Sequence, residues 1–331
     1  MEVLIFNHFQ AIILPMCPGY IDLAEISHLN RLAKGGGVYD DRLWRESYYF
    51  NMTDRSSGIT FISTIGILPN RKLNTGFFLF MKDGELIILK PFIARERVSF
   101  SDYSFSVKGL KYAIEGTNWR LSYNSKKCSF DILFTPLNKI YSYIENESDI
   151  VFKRIGSQHY EQFGTFEGVL ELKGKRITIG PCFGHRDHSR GIRDWSAVDR
   201  YRLFCCAFSE DFAFNLWEGS IHGKDFLKGY VFDGVRNTRI IESEVNTKYG
   251  FNGKEPRQAA VWIQDEEGRE FNIDCAAINS VAVPPRQSIL YENPAEMRID
   301  GMVGYGLQEY LYHEPNPLIR FFMLLKLIRM M

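Results

Sequence analysis

From about residue 40 onward, apolar positions alternate with polar ones in short runs, and glycine-containing turns separate the runs. Alternation of this kind places successive side chains on opposite faces of a strand. Ser47 to Met52 reads as an aromatic strand. Phe77 to Met81 and Leu86 to Phe92 flank Asp83-Gly84, the mark of a tight hairpin. Val98 to Val107 alternates with a slip of register near Asp102, and Trp119 to Tyr123 pairs with Cys128 to Phe134. A second series begins near Tyr160. Thr165 to Leu172 and Arg176 to Gly180 flank Lys173-Gly174; Tyr201 to Phe208 and Phe212 to Trp217 follow. Tyr230 to Phe232 precedes Asp233-Gly234, Val261 to Gln264 and Phe271 to Cys275 flank Glu267-Gly268, and Met297 to Ile299 leads through Asp300-Gly301 to Leu307 to Tyr312.

Helical periodicity is confined to the ends. Leu23, Ile26, Leu29 and Leu32 predict a short helix over Ile21 to Leu32, which Gly35-Gly36-Gly37 terminates. The closing PLIRFFMLLKLIRMM is apolar, with Arg320, Lys326 and Arg329 spread around the helical wheel. It reads either as a helix closing one barrel end or as a weak membrane-surface contact. Strands at roughly ten-residue spacing with turns throughout predict an all-β chain of sandwiches or barrels, and no βαβ rhythm supports a Rossmann or TIM fold. The more polar Tyr141 to Ile155 is the expected connection between two antiparallel barrels, one over residues 1–155 and one over 156–331 carrying the charged motif described below. Barrels of about eight strands can enclose one small ligand.

The length of 331 residues is compatible with two domains. A formal net charge of zero gives no electrostatic reason to expect nucleic acid as a partner. Aromatic residues make up 15% of the chain, with 26 Phe and 17 Tyr, which suits sheet cores and also an apolar pocket for a hydrophobic small molecule. None of the six cysteines forms a C-x-x-C pair, so all are expected to be reduced thiols of a cytoplasmic protein, with vicinal Cys205 and Cys206 on opposite strand faces. The N-terminus lacks the basic region of a signal peptide, and no apolar run reaches the roughly 20 residues of a membrane span.

Candidate chemistry concentrates in Gly184-His185-Arg186-Asp187-His188-Ser189-Arg190-Gly191-Ile192-Arg193-Asp194-Trp195. Arg and Asp satisfy one another bidentately when partly buried, and His titrates near neutral pH. The segment is thus either a structural Arg–Asp lattice or a polar site in a cavity wall. On a strand, Arg186 and His188 face one way and Asp187 and Ser189 the other. His185 and His188 are spaced for metal on a helix rather than a strand, so no metal is expected. His159 and His222 read as surface or hydrogen-bonded histidines. No P-loop, dinucleotide fingerprint or G-x-S-x-G elbow is present, and no cofactor is expected.

With His159-Tyr160-Glu161-Gln162, Phe166-Glu167-Gly168 and Glu46 to Asn51, and with Gly304 to Tyr310 near the end, this motif resembles the two-domain lipocalin-like superfamily of hydroxyneurosporene synthase (carotenoid 1,2-hydratase) and AttH-like proteins. The resemblance implies two calycin-type barrels side by side. Members of the superfamily hydrate carotenoid double bonds, cyclise isoprenoids or catalyse cycloadditions of polyketides. The chain departs from the motif at Arg190, where the family has Trp.

Joined to that resemblance, the residues lead us to expect an enzyme acting on a hydrophobic, isoprenoid or terpenoid substrate by protonating a C=C bond, with a non-enzymatic lipid-binding protein as the alternative. Protonation needs a neutral acid shielded from water. Asp187 and Asp194 are the carboxyl candidates, with His188 in support; alternatively Arg186–Asp194 or Arg193–Asp187 is a structural pair and Glu309 supplies the proton. Arg186, Trp195, Tyr305 and Trp217 are the expected substrate contacts.

Overall fold

The structure is a computed structural model that describes residues 41–95, 99–101, 103–143, 158–251, 253–283, 288–314 and 316–321. The helix expected over Ile21 to Leu32, most of the Tyr141 to Ile155 connection and the chain from 322 onward lie outside the described residues. Residues 317–321 are helical, at the start of the apolar C-terminal segment.

All strands are antiparallel and form two barrel-like sheets side by side. The first contains β1 (Trp44–Asp54), β2 (Ile59–Leu68), β3 (Leu73–Lys82), β4 (Glu85–Ala94), β5 (Ser99–Ser101), β6 (Ser104–Val107), β7 (Leu110–Glu115), β8 (Asn118–Asn124), β9 (Cys128–Pro136), β10 (Tyr141–Ser142), β11 (Gln158–Leu172) and β12 (Lys175–Ile192). The second contains β13 (Val198–Ser209), β14 (Phe212–Ile221), β15 (Lys224–Phe232), β16 (Asn237–Tyr249), β17 (Pro256–Asp265), β18 (Glu270–Ala277), β19 (Val281–Val283), β20 (Ser288–Ile299) and β21 (Met302–His313).

The hairpins follow the turn signals. Asp83-Gly84, Lys173-Gly174 and Asp300-Gly301 all adopt positive φ, the conformation a two-residue hairpin requires. β5 and β6, expected as one strand, pair with each other antiparallel and are therefore two. Strands β2 and β16 had no alternation signal: β2 is buried on both faces and reads as a continuous run.

The partition of strands corrects the expected boundary at residue 155. β11 and β12 are the longest strands of the first sheet, and β12 pairs with β1 from Trp44↔Ile192 to Met52↔Gly184. The chain crosses to the second sheet between Ile192 and Val198. The charged motif therefore belongs to the first sheet. An antiparallel hairpin satisfies backbone groups locally, so β12, folding back on β11, carries both with it into the sheet of β9 and β1.

Alternation sorts the core into three layers. One face of the first sheet encloses an aromatic interior that includes Tyr48, Phe50, Phe61, Phe78, Trp119 and Phe134. The second encloses Phe204, Cys206, Phe214, Ile263, Tyr291 and Tyr310. Between the sheets lies a third cluster, with Ile62, Leu79 and Phe163 against Leu203, Cys205 and Trp217. Cys205 and Cys206 thus face different layers, as strand geometry requires. The five described cysteines are free thiols.

Candidate active site

A cavity of about 340 Å³ lies between the two sheets, within the size range of small-molecule sites. It is walled by the outward-facing residues of β1 and β12 on one side and by β13, β20 and β21 on the other. Leu68, Phe77, Leu203, Leu290 and Leu307 supply apolar surface, and Trp195 and Trp217 add indole rings.

Three carboxyls converge on this apolar space. Glu292 and Glu309 sit directly opposite each other on β20 and β21, near enough that the charge of Glu292 acts on Glu309. Tyr49 reaches across from the first sheet and donates its hydroxyl to Glu292 Oε2 at 2.8 Å. The Tyr201 hydroxyl donates to Glu309. Burial raises Glu292 to about 7 against the opposing hydrogen bond from Tyr49, and burial together with the adjacent Glu292 charge carries Glu309 well above the carboxylate range. The pair therefore holds a proton near neutral pH, and that proton belongs to both residues. Asp187, the third carboxyl, is also raised, first by burial, with the Glu161 charge adding to it.

A second ionisable group stands beside it. Glu161, on β11, is fully buried; it accepts a hydrogen bond of 2.6 Å from His159 Nε2 and contacts His185 Nε2 through its other oxygen. Burial alone would raise Glu161, but the two imidazoles outweigh it and hold it down to about 2. In return Glu161 overcomes the burial of His185 and raises that imidazole well above its usual value, so the pair stays ionic. Asn51 and Asn215 lie 3.3 Å from the two ring nitrogens of His185. The His159 ring stacks on Tyr143 at 5.2 Å. His159 is thus hydrogen-bonded as expected, but it is buried and lines the cavity, whereas His222 is exposed in the turn after β14.

Of the eight predicted site residues, the fold brings Asp187, Glu309, Trp195 and Trp217 to this cavity. It places the other four elsewhere. Arg186 and His188 project from the opposite face of β12 into the first barrel's interior, because pairing to β1 and β11 runs unbroken through them and leaves no bulge to turn them. Arg186 lies 5.6 Å over the Trp119 ring and donates from Nε to Gln162 at 2.7 Å. His188 stacks on Tyr48 at 4.1 Å and bonds Glu46 at 2.8 Å. Asp194 caps the 3₁₀ turn Trp195–Ala197, accepting from the Ser196 amide at 3.0 Å. Tyr305 bonds Glu296 at 3.3 Å on the second sheet, away from the cavity lining. Among the described residues neither proposed Arg–Asp pair forms: Arg186 donates to Gln162, Asp194 accepts from Ser196, and Asp187 influences Arg193 only at longer range.

Glu292, Tyr49, Tyr201 and Arg45 escaped sequence reasoning. Glu292 interrupts an apolar strand, and lone charges of that kind are the available signal; its pairing with Glu309 follows from register alone.

Three solved structures share this fold. An AttH-like protein from Nitrosomonas europaea aligns with a TM-score of 0.62 at 11% identity, over 84% of this chain and 94% of that one. Kievitone hydratase from Nectria haematococca aligns with a TM-score of 0.56 at 12% identity, over 82% and 89%. CghA, also solved with Sch210972, aligns with a TM-score of 0.64 at 9% identity, over 83% and 90%. At such identities the likeness is one of fold, and it is the lipocalin-like fold implied by the charged motif. A sequence search of curated proteins finds no match. A family profile described as a domain of unknown function, DUF7064, spans residues 38–314, most of the chain, and the protein belongs to that family.

Proposed function

We propose that the protein is a cofactor-independent enzyme that protonates a C=C bond of a hydrophobic substrate, isoprenoid or terpenoid in skeleton, and thereby hydrates, cyclises or isomerises it. The observation that carries this proposal is the proton-sharing Glu292–Glu309 pair inside an apolar cavity. A protein that only bound lipid would need the cavity but not two facing carboxyls, whose burial is costly. The kievitone hydratase fold is shared, which is consistent with hydration as one outcome.

In the step itself, the π electrons take the proton held by the pair and form a new C–H bond, leaving a carbocation on the neighbouring carbon and a carboxylate on Glu309. The remaining hydrogen bonds from Tyr201 and, through Glu292, from Tyr49 stabilise that charge. Trp217, which lines the cavity beside Tyr201, offers a π system to the cation. The cation is then quenched either by water, which adds and gives up a proton, or by loss of a proton from an adjacent carbon. Where a second double bond first closes a ring, the charge moves to the far carbon of that bond and is quenched in one of the same two ways. In each case the released proton restores the neutral pair or passes to solvent. Asp187, on the facing wall of the cavity, receives the departing proton.

The test starts from the molecule that co-purifies with the protein, identified by mass spectrometry, and follows its turnover in deuterated water. Wild type should place deuterium on a former alkene carbon. Glu309→Gln should bind the molecule normally but lose about 10²- to 10⁴-fold in rate, the usual contribution of a general acid. Binding without deuterium incorporation by wild type would leave the protein a carrier.

A further inference from the structure

The cavity holds more positive charge than its acids balance. Arg45 and Arg193 both line it, Arg193 with 8% exposure. Arg45 lies flat over Gly66 of β2, where an added Cβ would stand 2.6 Å from its Nε, so the missing side chain makes room for the guanidinium. Arg193 sits 5.2 Å over the Trp195 ring and donates to Ser189. Among the described residues neither guanidinium has a carboxylate in ion-pair contact; Asp187 acts on both only at longer range. The two guanidiniums instead act on each other. Burial, with Arg193 reinforcing it, lowers Arg45 to about 10, which still leaves it charged at neutral pH. The other groups facing this space do not cancel the pair. Tyr201 is neutral, Glu292 and Glu309 share protons, Glu161 is matched by His185, and Asp187 is one carboxyl against two guanidiniums.

Two guanidiniums on one cavity wall, Arg193 buried and Arg45 half-buried, with a single carboxyl acting on both, are an incomplete oxyanion site, because holding like charges together is unfavourable until an anion joins them. We infer that the substrate carries an anionic oxygen group, a carboxylate or a phosphate, which the Arg45 and Arg193 guanidiniums hold at one end of the inter-sheet cavity while the apolar remainder reaches toward Glu309. This rests on the cavity being the substrate site, and it narrows the substrate from any hydrophobe to an amphiphile. The anchor and the acid lie in one continuous lining, since Arg193 acts electrostatically on both Tyr201 and Glu309.

Calorimetric titration with decanoate, decyl phosphate and decanol tests this, since the three share one chain and differ in the head. Wild type should bind one of the two anions about tenfold or more tightly than decanol, as expected of charge-assisted hydrogen bonds, and the tighter anion names the group. Arg45→Gln should erase that advantage and leave decanol affinity unchanged, with a thermal melt checking the fold. Arg45→Lys, which keeps the charge but not the fork, should fall between. Equal binding of all three by wild type overturns the oxyanion site while leaving the cavity as a site for hydrophobes. An advantage that survives Arg45→Gln in a folded protein overturns the role of Arg45. Failure of all three to bind counts against the cavity itself as a site for hydrophobic chains, and the oxyanion site falls with it.

Discussion

The residues of the site titrate against one another, and this gives stability a pH signature. Glu292 binds its proton more tightly folded than unfolded, its pKa rising from 4.5 to about 7, and Glu309 shifts in the same direction. The folded state therefore holds extra protons between those values, and stability should fall as pH climbs from about 4.5 to about 7. Glu161 runs the other way. Its pKa is lowered from 4.5 to about 2, so its contribution is complete above about 4.5 and lost as pH falls toward 2. The raised imidazole of His185 adds stability that is complete below about 6.5 and lost as pH rises through its higher folded value. From these groups together, stability should peak near pH 4.5. Urea denaturation as a function of pH should show Glu292→Gln flattening the decline between about 4.5 and 7. An unchanged slope in that variant would mean Glu292 is ionised in the folded protein. Turnover, which needs the proton on Glu309, should outlast the ionisation of Glu292 near pH 7 and decline only as the higher-lying Glu309 carboxyl ionises.

At the scale of the element, β12 divides its labour by parity. His185, Asp187 and Ser189 face the cavity, while Arg186 and His188 face the packed interior of the first barrel. Tyr48, Glu46 and His188 form a buried hydrogen-bonded group there: the Tyr48 hydroxyl donates to Glu46 Oε1 at 2.9 Å, and His188 bonds the same oxygen. Removing one member strands the others in a medium that cannot solvate them. His188→Ala should cost about 3 kcal/mol of stability and leave affinity for the cavity ligand unchanged. Asp187→Asn should do the reverse, changing turnover with little loss of stability, because it relieves repulsion among three carboxyls. Chemical denaturation paired with ligand titration separates the two. If His188→Ala altered ligand affinity as strongly as stability, the two faces of β12 would not be independent.

At the scale of the molecule, the sheets share their middle layer. Neither could expose Ile62, Leu79 and Phe163, or Leu203, Cys205 and Trp217, to water without losing their burial, at about 25 cal/mol per Å² of apolar area. Tyr49 to Glu292 and Asn138 to Asn237, a bond of 2.8 Å, cross the same junction. Unfolding should accordingly be one cooperative transition, with calorimetric and van't Hoff enthalpies in agreement. Two separate transitions would show that the middle layer is not required by either sheet. Among the described residues no helix is long and apolar enough to cross a membrane.

The sequence by itself determined the class of fold and the direction of each side chain on β12. Period-two alternation and glycine turns are local properties, so strands such as β1, β3, β4, β8 and β9 could be read from them, and so could the opposition of Asp187 to His188. It also put Glu309 among the candidate acids. Only the tertiary structure decided which sheet β12 joins, because a hairpin can dock on either neighbour and the choice is made by burial of the face it presents. Only the tertiary structure set Glu292 against Glu309 and brought Tyr49 over from a strand 243 residues away in sequence. The same holds for the cavity. Alternation says that a strand has two faces, but not that the outer faces of two barrels meet, and it is this meeting that removes water from the carboxyls and lets them keep a proton.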